Sequence, residues 1–299
     1  MPRPLPTPYD GSAKLFQIGL KPVDVAAWID VDERLADYLA EKARLDETHP
    51  DAVFAAEPDT AAAQAEVLAL LAEHLVNCFP EAYRRDGTAL DIVPAGRRVV
   101  LDADEPPLRV AARLVQEDLV LMRRGADAWR IAAASLHFPS SWSLTEKFGR
   151  PIHEVHGPVP GFGVGTRGAE LIARMFDNMR PGVVGLRWNW SIYGDDRLFH
   201  PESADPRHRR FGEGQRAENI FMRVERQTLR RLPGSGDILF TIRIHLDPLE
   251  ALEEQPEAPR IAQALIEQLN ALDPAQLDYK GMTLERDRLV ARLSEIAER

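Results

Sequence analysis

Residues 233–236, Pro-Gly-Ser-Gly, separate two long β-patterned runs, 220–232 and 237–246. A connection of that length and composition folds a strand back on its neighbour. It therefore commits this part of the chain to an antiparallel sheet, and residues 183–193 add a third strand just before it. Side chains alternate across a strand, so facing follows parity. Arg187 and Asn189 share one face of the first run, against Leu186, Trp188, Trp190 and Ile192. Arg223, Glu225 and Gln227 oppose Met222, Val224, Arg226 and Thr228 on the second. Thr241, Arg243 and His245 oppose Phe240, Ile242, Ile244 and Leu246 on the third. The expectation is a sheet with one apolar and one polar face, the polar face being either solvated or the floor of a pocket.

Upstream, 117–124 and 129–138 read as two strands around a turn at 125–127, and 97–101 as a further short strand. Residues 23–83 read as helical, with Val67, Leu68, Leu71 and Leu75 at helical spacing and Asp59 or Thr60 as a cap. Short and longer helices are expected at 143–148 and 168–179, and closing helices at 259–272 and 283–297. The predicted fold is α+β: an antiparallel sheet of about five strands with helices gathered on it, as in a PAS-type fold, plus N- and C-terminal helical extensions. The expected divisions are 1–85 (arm and helices), 86–250 (the sheet domain) and 251–299 (helices packing on it).

Composition narrows the function. Among 299 residues, 37 Lys and Arg face 47 Asp and Glu, a net charge of −10. Without a basic footprint to displace counterions, a nucleic-acid partner is not expected. No apolar run is long enough to span a bilayer. The start, with Pro2, Pro4, Pro6 and Pro8, has no signal core and reads as an extended, partly disordered arm of a cytoplasmic protein. Cys78 is the single cysteine, too few thiolates for an iron–sulfur cluster, so any electrons must come from another protein.

Three of the eight histidines, His137, His153 and His156, fall in the proline- and glycine-rich stretch 132–162. His153 and His156 are three apart, and the string between them is one residue short of HExxH, so zinc chemistry is weakly supported. A heme needs one axial imidazole, an apolar slot and cations for its propionates. His156 precedes Gly157 and Pro158, which would hold its backbone. The competing reading is an ordinary loop residue. His137, at a strand end, reads as a packed core histidine, and His200 and His208 as solvated. No GxSxG elbow surrounds Ser140 and Ser141. Residues 161–168 lack a P-loop ending and read as a flexible loop entering a helix.

Several long strings carry a resemblance: 129–162, RWNWSI at 187–192, 223–243, FQIGLKPVDVAAWIDVD at 16–32 and LDYKG at 277–281. Together they resemble the heme-dependent oxidative N-demethylase alpha-subunit family over nearly the whole chain. The resemblance implies a PAS-like heme b domain acting as a monooxygenase on a small secondary amine such as dimethylamine. An N-methyl group would be oxidised to a carbinolamine that collapses to formaldehyde and the demethylated amine. It also implies NADPH, FMN and an iron–sulfur cluster housed in a partner reductase, hence a hetero-oligomer. Under this reading His156 is the iron ligand, with His153 the alternative. Arg223, Arg226 and Arg243 would pair with propionates. Glu225 would hold the substrate ammonium or relay protons, and Trp188, Asn189 and Trp190 would line the amine site. Arg226 and Glu225 have opposite parity and cannot share a pocket in a regular strand. A heme gas or redox sensor and a non-catalytic binding subunit remain alternatives.

Overall fold

The computed structural model describes residues 5–13 and 15–299. Its strands are β1 (Lys21–Val23), β2 (Phe54–Ala56), β3 (Tyr83–Asp86), β4 (Ala89–Ile92), β5 (Arg97–Val100), β6 (Asp118–Arg124), β7 (Trp129–Ser135), β8 (Val184–Tyr193), β9 (Phe221–Arg231) and β10 (Ile238–Pro248). The helices before β6 are α1 (Leu35–Thr48), α2 (Pro50–Val53), α3 (Ala61–Cys78) and α4 (Pro107–Ala112). Between β7 and β8 run α5 (Leu144–Lys147), α6 (Ile152–Val155) and α7 (Arg167–Asn178). After β10 come α8 (Glu250–Glu253), α9 (Ala258–Asn270), α10 (Pro274–Lys280) and α11 (Arg286–Ala297).

The expected strands form where the alternation places them, but the sheet is larger than about five strands. Seven strands run in the order β1-β8-β9-β10-β6-β7-β2, every pair antiparallel, and β3-β4-β5 make a separate small sheet. Residues 97–100 belong to the small sheet. The edge strands β1 and β2 are three residues long, too short to show a period of two in sequence.

The β9–β10 hairpin is the spine, with register pairs running from Phe221↔Pro248 to Arg231↔Ile238. Gly236 closes its turn at φ 76°, a left-handed conformation that costs glycine little. The turn is anchored from outside, where the Glu66 carboxylate accepts the backbone N–H groups of Gly234 and Ser235 at 2.6 and 2.8 Å.

This register corrects the expectation of one polar and one apolar face. Glu225 pairs with Ile244 and Gln227 with Ile242 on β10, and with Asn189 and Arg187 on β8. Residues directly opposite share a face. Each face is therefore polar on one pair of strands and apolar on the next. The front face carries Arg187, Asn189, Glu225 and Gln227 beside Phe240, Ile242, Val120 and Met122. The back face carries Trp188, Trp190, Arg226, Thr241, Arg243 and His245.

Two helical groups cover the back. One core joins Leu35, Leu39, Val67, Leu71 and Leu75 of α1 and α3 to Leu119, Leu121 and Leu239 of the sheet. The stripe foreseen on α3 is this contact. Another joins Trp190, Met222 and Val224 to Ile261, Leu265 and Leu269 of α9 and to Leu289 and Leu293 of α11. Burying each such side chain contributes about 1.5–3 kcal/mol. Pro2 and Pro4 of the proline arm lie outside the described residues. Its next part is packed rather than free: Tyr9 is fully buried, meets Trp190 edge-on at 6.1 Å, and its carbonyl accepts from Gln268.

Candidate functional site

The front face is roofed by α5, α6 and α7, and between roof and sheet lies a cavity. The centres of water-sized molecules have about 250 Å³ of room in it, and its walls stand a water radius further out. One end is apolar: Val120, Met122 and Ile131 from the sheet face Ile152, Val155, Phe162, Ile172 and Phe176 from the roof. The other is polar, built by Arg187, Asn189, Glu225, Gln227, Arg210, Tyr279 and Lys280. Both ends of the chain reach it, through residues 15–18 and through α10.

His156 lines this cavity immediately after α6, and His153 does not. Short as it is, α6 turns Ile152, Val155 and His156 inward together, as i, i+3 and i+4 positions do. Burial, with Lys147 and Arg187 as nearby positive charges, pushes the His156 imidazolium down to about 4. The ring is thus neutral at ordinary pH, the state that ligates metals. Its Nδ1 is buried without a hydrogen-bond partner.

The polar end holds one carboxylate, Glu225, almost wholly buried, whose Oε2 accepts from Gln227 Nε2 at 2.5 Å. Four cations line the same cavity, Lys147, Arg187, Arg210 and Lys280, of which Arg187 and Lys280 lie in the field of Glu225. Lys280 is buried and donates to the Trp190 carbonyl at 2.6 Å; burial lowers its pKa to about 8, against the raising pull of Glu225. Burial brings Lys147 to about 8 as well, its ammonium lying 5.0 Å from the centre of the Trp142 ring. The Arg187 guanidinium donates to Gln227 Oε1 and to the Gln17 carbonyl, and its buried Nε has no partner. Phe16 and Ser141, both lining residues, have φ of 56° and 62°. Such strained conformations in non-glycine residues gather at functional sites.

The register takes several expected residues away from the cavity. Arg226 and Arg243 are on the back face, because they pair with each other and with Trp188 across the sheet. Arg226 donates to the carbonyls of Ala27 and Trp28, while Arg243 meets Asp32 at 2.7 Å and stacks on Tyr38. Trp188 and Trp190 also lie behind, against the C-terminal helices. Arg223 is on the front face but fully committed. Nε donates to Ser140 Oγ, Nη1 to the Arg197 carbonyl, and Nη2 to the carbonyls of Phe138, Pro139 and Leu198. Glu225, Asn189 and His156 do meet in one cavity.

His137 is the packed histidine its position suggests: its N–H donates to Asp118, and its ring lies 3.3 Å from Asp46. His208 is exposed. His200 is not solvated. Its ring meets Tyr193 at a tilt, with centres 4.5 Å apart, and burial lowers its pKa to about 4. The glycine loop at 161–168 is closely packed at its end, where a Cβ on Gly168 would stand 2.3 Å from the Gly161 carbonyl oxygen, while Gly161 and Gly165 have open space beside them. Arg210, Tyr279 and Lys280 were not expected, although LDYKG carries two of them. Residues 273–282 fall between the two expected closing helices, and here Pro274 begins α10 under an Asp273–Gln276 capping box.

The donor set fits a heme. It combines one neutral imidazole with an orphaned nitrogen, an apolar slot, and cations able to meet carboxylates. Among the described residues, no cluster of three or more His, Cys, Asp or Glu could hold a metal ion. None of the described helices is long and apolar enough to cross a membrane. A family model described as haem-dependent oxidative N-demethylase, alpha subunit-like, matches residues 19–290, and the chain belongs to this family.

Proposed function

We propose that this chain is the heme-bearing subunit of an oxidative N-demethylase acting on a small secondary amine. The observation that carries the reading is the cavity pairing neutral His156 with a buried carboxylate, Glu225, in a chain of this family. We read the seven-stranded sheet and its α5–α7 roof as a PAS-like heme domain. His156 would ligate heme b, with Lys147, Arg210 and Lys280 supplying charge for the propionates. Bound there, the heme would supply oxygen activation. The balance is one N-methyl amine, one O2, two electrons and two protons giving formaldehyde, the demethylated amine and water.

Glu225 receives the amine N–H and keeps that nitrogen at the polar end, with Asn189 beside it on β8. Lys280 and Tyr279 lie within the field of Glu225 and can pass protons toward it. The apolar wall from Val120 to Ile242 excludes water from the methyl group. With one cysteine in the chain, the two electrons come from a partner reductase, for which NADPH, FMN and an iron–sulfur cluster are the proposed carriers.

The test is an absorption spectrum of protein expressed with heme supplied, before and after dimethylamine. A stoichiometric Soret band that shifts with amine, together with formaldehyde release when a reductase is added, is the expected result. A band indifferent to secondary amines would point to a sensor instead. No band would remove the proposal.

A further inference from the structure

The four cations that line the cavity outnumber its one carboxylate, and among the described residues none of the four is in an ion pair within 4 Å. Two propionates would offset two of them. A bare dimethylammonium ion would add positive charge to a place that already has a surplus. Burial makes that unfavourable, because charges interact far more strongly there than in water.

The register sharpens this point. Arg187 sits opposite Gln227, and Asn189 sits opposite Glu225, so Arg187 and Glu225 are diagonal neighbours on one face. Diagonal neighbours lie about 7–8 Å apart at the backbone, within reach of a shared small ligand. A guanidinium has five N–H donors. Arg187 uses Nη1 on Gln227 and Nη2 on the Gln17 carbonyl, and its Nε–H is buried and unpartnered. Free donors remain in the planar fork that suits a carboxylate. Beside them, Glu225 accepts from Gln227 through one oxygen, leaving the other for a second donor.

From this pair we infer that the secondary amine taken by the cavity is an N-methyl α-amino acid, its carboxylate held by Arg187 and its ammonium by Glu225. An α-amino acid carries its two opposite charges a few bonds apart. The Arg187–Glu225 diagonal is the complement of that zwitterion, and its binding leaves the charge of the site unchanged. The inference rests on the N-demethylase reading for the fate of the methyl group, but not for the binding itself.

Calorimetric titration of the heme-loaded protein and of the heme-free protein with N-methylglycine and with dimethylamine tests it. N-methylglycine should bind at least about tenfold more tightly than dimethylamine. Arg187→Gln should lower its affinity about tenfold and leave dimethylamine binding no weaker, the loss of one positive charge favouring that ion, with Arg187→Lys falling between. Equal or tighter binding of dimethylamine would overturn the inference. So would an Arg187→Gln variant that binds N-methylglycine as before or weakens both ligands alike. If heme is never retained, the N-demethylase reading fails, yet the heme-free titration still decides this inference. If only the heme-free form binds N-methylglycine, Arg187 serves a propionate and the inference is wrong.

Discussion

Replacing Arg223 by methionine separates two roles that the sequence alone confuses. Arg223 is fully buried and makes five hydrogen bonds, four of them to carbonyls of residues 138, 139, 197 and 198. It ties two loops at one end of the cavity, and Tyr193 lies under its guanidinium at 5.1 Å. Methionine would fill most of the space and leave those carbonyls without donors. Breaking a buried charged network of this kind costs about 3–5 kcal/mol. At about 2.1 cal/mol/K of unfolding entropy per residue, a chain of 299 residues loses about 5–8 °C in Tm. The assay is scanning calorimetry of Arg223→Met beside the wild type, with heme content read from the Soret band of each folded sample. The expected variant is destabilised and keeps its heme at low temperature. A variant melting within about 1 °C of the wild type but emptied of heme would refute the clamp and restore Arg223 as a propionate partner.

Three further outcomes can be checked. His156→Ala should abolish heme retention with little change in the far-ultraviolet circular dichroism, whereas His153→Ala should retain it; the opposite pattern would move the ligand to His153. His74 packs edge-on against Trp28 at 5.2 Å, and burial lowers its pKa from 6.5 to about 4. The unfolded chain therefore binds a proton that the folded chain refuses, and this histidine costs stability as pH falls from about 6.5 to about 4. Urea midpoints over that window should fall less steeply in His74→Gln, and an equal slope would contradict the assignment. Gly168→Ala places a Cβ 2.3 Å from the Gly161 carbonyl oxygen and 2.9 Å from the Phe162 ring. It should displace Phe162 from the cavity wall and weaken heme binding about tenfold or more, as measured by heme titration; unchanged affinity would show that the loop gives way without cost.

Local patterns carried the fold a long way. Five of the strands in the large sheet and the stripe Val67–Leu75 on α3 follow from periodicity, because a strand or helix half-buried on one side writes that side into its own residues. Partner choice is not written there. Parity showed that Glu225 and Arg226 face opposite ways, yet nothing in β10 says whether Thr241 or Ile242 lies beside Gln227. That is settled by the turn at residues 233–236 and by pairing along the hairpin. The error about Arg243 was therefore one of register between strands, while each strand taken alone was read correctly. Arg210, Tyr279 and Lys280 escaped for a different reason. They arrive from a loop and from α10, and long-range packing on the sheet is what brings them to the polar end.

The same register explains how one sheet can serve a ligand with an apolar body and charged ends. A uniformly polar face would expose such a body to water, and a uniformly apolar one would leave its charges unpaired at a cost of several kcal/mol. Here polarity changes across the boundary between β9 and β10, within a single face. Gln227 lies beside Ile242 and Glu225 beside Ile244, so the step from hydrogen-bonding to apolar wall is one strand wide, about 4.8 Å. The back face repeats the change with opposite hand: Trp188 and Trp190 on β8 against Arg243 and His245 on β10. Its charges are taken up internally, as Arg243 meets Asp32 and Arg226 meets the carbonyls of Ala27 and Trp28. Arg243 Nε behind the sheet is as unpartnered as Arg187 Nε in front of it; the front face differs in that Arg187 and His156 line a cavity and Arg243 does not. Buried polar groups are normally satisfied. That Arg187 and His156 turn such atoms toward one cavity, while Arg226 and Arg243 give their charge to Asp32 and to main-chain carbonyls, is the physical reason to place the chemistry in front of the sheet.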